Sequence, residues 1–145
     1  MKSHVITLTP VLVSLFFLIA GAPGLNAQIM DAIQTQVDHS FVIGDQTLPP
    51  GDYTFRVVNN SDISLMTVTS QDGKTVAQFG VRQAIDDRRP NHSELVFRKY
   101  GNTEFLSKVF EEGSKAGVEV TETGKQEARL VRQGLQASVH SEERK

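Results

Sequence analysis

The sequence predicts a mainly β protein. The expected form is an antiparallel β-sandwich or a small, partly open β-barrel of about six to seven strands, with a C-terminal α-helix. Three observations point there. Apolar residues recur with period two over most of residues 33–120. Turn signals punctuate that stretch at short intervals, namely Pro49-Pro50-Gly51, Asn59-Asn60-Ser61-Asp62, Asp72-Gly73 and Gly101-Asn102. From Thr123 the period changes to a helical one.

The N-terminus reads as a targeting segment rather than as part of the fold. Lys2 is the only Lys, Arg, Asp or Glu before Asp31, and residues 11–20 form the apolar run VLVSLFFLIA. Gly21, Pro23 and Gly24 follow, and Leu25-Asn26-Ala27 ends on a small residue. That order is the pattern of a secretory signal peptide. Cleavage is expected between Ala27 and Gln28, because a cut after Ala22 would set Pro23 just past it. A spanning helix wants about 20 apolar residues, and Pro10 and Gly21 bound a shorter run. The expected organisation is a signal peptide at 1–27, a β-domain at 28–122, a C-terminal helix at 123–138 and a disordered tail at 139–145. No membrane span remains after cleavage.

The β-domain is then taken strand by strand. In 33–43, Ile33, Val37, His39, Phe41 and Ile43 share one parity, against Gln34, Gln36, Asp38 and Ser40. This predicts one half-buried strand, or two joined at a bend. Gly44-Asp45 opens a loop, and Pro49-Pro50-Gly51 sets a rigid turn through two locked φ angles and one permissive residue. Tyr53, Phe55 and Val57 alternate with Thr54 and Arg56 on the next strand. Residues 63–69 form another, closed by the hairpin signal Asp72-Gly73. Residues 75–83 follow, with Ala77, Phe79 and Val81 on one face, and Gly80 marks a bulge or a close backbone approach. Residues 94–100 and 103–110 flank Gly101-Asn102, and 118–120 adds a short last strand. Phe55, Phe79, Phe97 and Phe105 fall on the apolar parity and are expected in the core. The helix is placed at about residues 125–136, with Ala128, Val131 and Leu135 on its buried face and Glu127, Arg129 and Arg132 off it.

Composition excludes several chemistries. With no Cys in the chain there are no disulfides, thiolate metal sites or cysteine nucleophiles. The formal charge of the whole chain is −2, so no basic footprint calls for nucleic acid. An exported chain without Cys fits a bacterial periplasmic or extracellular setting. The sequence holds no G-x-S-x-G elbow, P-loop or dinucleotide fingerprint.

Two blocks carry a resemblance. Phe41-Val42-Ile43-Gly44 with Leu48-Pro49-Pro50-Gly51-Asp52-Tyr53-Thr54 is the first. Leu95-Val96-Phe97-Arg98-Lys99-Tyr100-Gly101 followed by Phe105-Leu106-Ser107 is the second. Together they resemble a group of small exported, functionally uncharacterised bacterial β-rich proteins, frequent in acidobacterial genomes. The resemblance implies export and a β-rich fold. It implies no activity and no catalytic residues.

The densest polar cluster is the loop 86–92, with Asp86, Asp87, Arg88, Arg89 and His92. Loops held on a rigid sheet often carry binding residues. Two readings stand: a solvated loop whose charges compensate one another and keep the hairpin soluble, or a weak anion- or partner-binding site with Arg88 or Arg89 as the contact and His92 as a hydrogen-bond donor. If the loop backbone is extended, adjacent arginines point to opposite sides and only one faces a shared ligand. His39, His92 and His140 lie far apart in sequence. His39 is read as a hydrogen-bonded, partly buried residue, and no metal site or cofactor is expected. The function expected is a non-catalytic exported β-module that binds a protein, a glycan or an envelope component. The alternative is a protein that binds a small apolar or anionic ligand in the barrel interior or on the loop 86–92. The oligomeric state is left open.

Overall fold

The structure is a computed structural model that describes residues 31–60 and 63–143. The expected signal peptide at 1–27 and its cleavage point lie outside the described residues. The elements are β1 (Ile33–Val37), β2 (Phe41–Ile43), β3 (Gln46–Leu48), β4 (Gly51–Asn60), β5 (Ile63–Ser70), β6 (Thr75–Ile85), β7 (Glu94–Tyr100), β8 (Thr103–Phe110), β9 (Ala116–Val120), α1 (Lys125–Arg132) and β10 (Ser138–Glu143). The fold is mainly β with one short helix near the C-terminus, and its sheet is not closed into a barrel.

The count of ten strands among the described residues exceeds the expected six to seven for three reasons. The 33–43 stretch bends after Val37 and gives two strands. The supposed loop after Ile43 is a tight hairpin, in which Gly44 takes a φ of +58° and β3 pairs back on β2. The third reason is a correction to the C-terminus. The helix expected over 123–138 spans only Lys125–Arg132, and Ser138–Glu143, which reaches into the tail expected to be disordered from 139, forms β10, antiparallel to β7. Gly134, at a φ of +81°, turns the chain between them. Arg144 and Lys145 lie outside the described residues.

Two antiparallel meanders form the body, β4-β5-β6 and β7-β8-β9. They join where β6 pairs with β9, and β1 adds to the outer side of β4. β8 is the branch point. One edge pairs along its length with β7; the other is shared between β2, parallel at Glu104–Phe105, and β9, antiparallel at Lys108–Phe110. Gly80 is the expected close approach, since a Cβ there would lie 2.8 Å from Thr121 Oγ1. Gly117 is tighter still, at 2.4 Å from both Phe110 Cδ1 and Val109 O.

The core follows the strand parity. Phe55, Phe79, Phe97 and Phe105 are 1%, 4%, 0% and 2% exposed, as their alternation requires. Phe97 meets Phe41 edge-on at a centroid distance of 5.7 Å, and Phe41 meets Tyr53 at 5.4 Å. Burying rings of this kind stabilises a fold by about 1.5–3 kcal/mol each. A second, smaller cluster of Val42, Tyr100 and Phe105 lies under Leu130 of α1.

The buried face of α1 differs from the expected one. Glu127 is 3% exposed, whereas Val131 and Leu135 are 50% and 38% exposed. The register sets Arg98 opposite Phe105, on the α1 side of β7, and its guanidinium draws the Glu127 carboxylate inward.

Candidate functional site

The loop 86–92 joins β6 to β7 and is held at both ends. The Asp86 backbone N–H donates to Lys115 O, and Pro90 O accepts from Gly113 N–H. Its arginines have different surroundings. Arg88 Nη2 donates to Glu94 Oε1 at 2.6 Å, and its backbone N–H donates to Asp86 Oδ1 at 3.0 Å. The Glu94 side chain is 1% exposed, so Arg88 supplies the countercharge that a buried carboxylate needs. That hydrogen bond, and then the Glu94 charge, push the Arg88 pKa further above its ordinary value. Arg89 and His92 are exposed and have no partner among the described residues. The three expected site residues therefore share a loop but not a role.

A second cluster brings together residues far apart in sequence. His39, in the bend between β1 and β2, places Nε2 at 2.8 Å from Glu104 Oε2 of β8 and Nδ1 at 3.0 Å from Glu142 Oε1 of β10. Lys99 Nζ reaches the other Glu104 oxygen at 2.7 Å, and His140 Nε2 lies 3.4 Å from Glu142 Oε1. The His39 ring packs edge-on against Phe97 at 5.1 Å. His39 is partly buried as expected, at 27% side-chain exposure, but its contacts are ion-pair approaches rather than the expected hydrogen bonds. His39 Nε2 and Glu104 Oε2 are close but not aligned for a hydrogen bond, and both atoms are buried without one. The cluster closes one rim of the core and ties β10 to β8. Among the described residues no group of three or more His, Asp or Glu is arranged to hold a metal ion.

A third polar group lies beneath α1. Arg98 donates through Nε and Nη2 to the two Glu127 oxygens, at 2.7 and 3.2 Å, and through Nη1 to Ser107 Oγ at 3.0 Å. Nearby, burial and then the Glu127 charge raise the Tyr100 hydroxyl pKa above its ordinary value. This pair docks the helix, and its donors and acceptors are engaged with one another.

A broad concavity lies elsewhere. A groove of about 1000 Å³ runs from β5 across the outer face of β4 and β1 to the end of β10. Gln34 and Gln36 of β1, Thr54 and Arg56 of β4, and Glu142 and Glu143 of β10 face it. The β1 and β4 wall is polar because the parity that buries Ile33, Val37, Phe55 and Val57 turns Gln34, Gln36, Thr54 and Arg56 outward. Sequence reasoning identified the outward parity but missed the groove, because β10, which forms its far side, was read as a tail. No protein-family model, curated protein or solved structure matches this chain.

Proposed function

We propose that this chain is an exported, non-catalytic β-module that binds a protein through the groove between the β1–β4–β5 face and β10. One observation favours a protein over the other partners expected above. Every described Phe and Tyr side chain is buried, the most exposed being Tyr100 at 8%. Nucleobases, and the apolar faces of sugars, dock by stacking on exposed rings. The groove instead offers amides, hydroxyls, carboxylates and one guanidinium, which suit a polypeptide backbone and polar side chains.

Phe41, Phe55, Phe97 and Met66 fill the space between the strands, which favours this reading over an apolar ligand held inside the sheet. The alternative of a small anionic ligand on the loop 86–92 now rests on Arg89 and His92, since Arg88 is engaged by Glu94. Export rests on the charge and hydropathy order of residues 1–27. Among the described residues no helix is long and apolar enough to cross a membrane.

The test is site-specific photo-crosslinking in the cells that export the chain. A photoreactive side chain at Gln34 or Gln36 is expected to give a discrete protein adduct, and one at exposed Glu112 is not. Adducts at Arg89 but not at the groove would move the site to the loop. No groove adduct at all would overturn the reading.

A further inference from the structure

The charges lining the groove narrow the class of partner, on the premise that the groove is a protein-binding site. Asp38, just after β1, and Asp52 of β4 face it, as do Glu142 and Glu143 of β10, against Arg56 as the one Lys or Arg in the lining. Asp38 and Asp52 have no ion-pair partner among the described residues. Glu142 is held by His39 and His140. The groove therefore carries an excess of negative charge beside a strand edge. β1 pairs with β4 and with no other strand among the described residues. Its opposite edge presents unpaired backbone N–H and C=O groups, the template that strand addition uses. Five residues of edge span about 17 Å, enough to register a short extended segment.

We propose that the groove takes an extended, cationic polypeptide segment, added as a strand along β1. Its Lys or Arg side chains would reach Asp38, Asp52 and Glu143. Main-chain hydrogen bonds supply the affinity and are indifferent to sequence, and the carboxylates supply the selection for positive charge. The β1 outer face supports this choice over an acidic or neutral strand. Gln34 and Gln36 add no charge of their own, and four carboxylates share the lining with one guanidinium.

The test uses the purified exported chain and a fluorescein-labelled hexapeptide, Lys-Thr-Lys-Val-Lys-Thr, read by anisotropy. Binding is expected, weakening steeply from about 0.05 to about 0.5 M salt because exposed charges are screened. The Glu-Thr-Glu-Val-Glu-Thr counterpart is expected not to bind. The triple change Asp38→Asn, Asp52→Asn and Glu143→Gln should weaken the cationic peptide about tenfold. All three side chains are exposed, and an unchanged melting temperature checks that the variant is folded. Should it fail to fold, the wild-type salt dependence and an N-methylated cationic peptide, which cannot complete the ladder, decide the matter. Equal binding of the acidic peptide, no effect of the triple change in a folded variant, or full binding of the N-methylated peptide would overturn the proposal. Crosslinks at Gln34 or Gln36 without cationic-peptide binding would refute the charge class and leave the protein-binding reading standing. Absence of both would refute both.

Discussion

Removing Glu127 should undo the packing of α1. The carboxylate is 4% exposed and takes two hydrogen bonds from Arg98, whose own side chain is 25% exposed. Breaking a fully buried pair by deleting one partner costs about 3–5 kcal/mol, because the survivor stays buried and unpaired. Arg98 keeps Ser107 as an acceptor and touches solvent, so part of that cost is relieved. The expected loss for Glu127→Ala is therefore about 2–4 kcal/mol. For a domain of this size each kcal/mol lowers the melting temperature by roughly 4 °C, so a fall of about 8–16 °C is expected. Urea unfolding of four proteins, wild type, Glu127→Ala, Arg98→Met and the double variant, measures the coupling directly. The double variant should be more stable than Glu127→Ala, since it leaves no orphaned charge. Hydrogen exchange should show faster exchange in α1 for Glu127→Ala with β4–β5 unchanged. Additive losses, or a Glu127→Ala loss below about 0.5 kcal/mol, would refute the argument that this pair docks the helix.

Three further outcomes follow from the same structure. Phe97→Ala removes a fully buried ring packed against Phe41 and His39 and should cost about 3–5 kcal/mol by urea unfolding; a loss below about 1 kcal/mol would contradict the strand parity. Gly117→Ala would place a methyl group 2.4 Å from Val109 O and Phe110 Cδ1, so β8 and β9 must part and the variant should lose about 1–3 kcal/mol; a wild-type melting temperature would show that the ladder gives way freely. The Ser70 hydroxyl, and then Lys74, hold the Asp72 pKa below its ordinary value. A depressed carboxylate pKa contributes stability that is present above the ordinary value and lost as pH falls through the lowered one. Ser70→Ala should raise the Asp72 pKa in an NMR titration and reduce that acid-side loss, and an unmoved titration would argue against the bond.

The strands that carry the core were legible because burial and parity coincide in them. β7 and β8 start and stop where the alternation and the Gly101-Asn102 turn place them. What escaped was held by forces that leave no apolar pattern. β10 reads Ser-Val-His-Ser-Glu-Glu and is exposed along most of its length, so it is a strand by its backbone pairing with β7. The helix face was misassigned because a charge pair outweighed three aliphatic positions, and no spacing rule links Glu127 to Arg98. The His39 cluster joins residues from four separate stretches, which no local pattern relates. Of the groove, the β1 and β4 walls could be read from parity, while the β10 side depended on recognising a polar strand.

The branching at β8 has a consequence for how the chain reaches this state. Each meander needs only neighbouring turns, but the β6–β9 ladder aligns Val81 with Val120 and the β2–β8 ladder aligns Phe41 with Glu104. Both junctions close wide loops whose entropy must be lost before any ladder bond is gained. The expected kinetics are slow for the chain length, with the β4–β5–β6 and β7–β8–β9 units assembling early and the junctions late. Until β2 arrives, the edge of β8 at Glu104–Phe105 is bare, as is the outer edge of β9 until β6 docks. Any route that delivers this chain unfolded must shield those edges from a second copy for as long as the two junctions remain open.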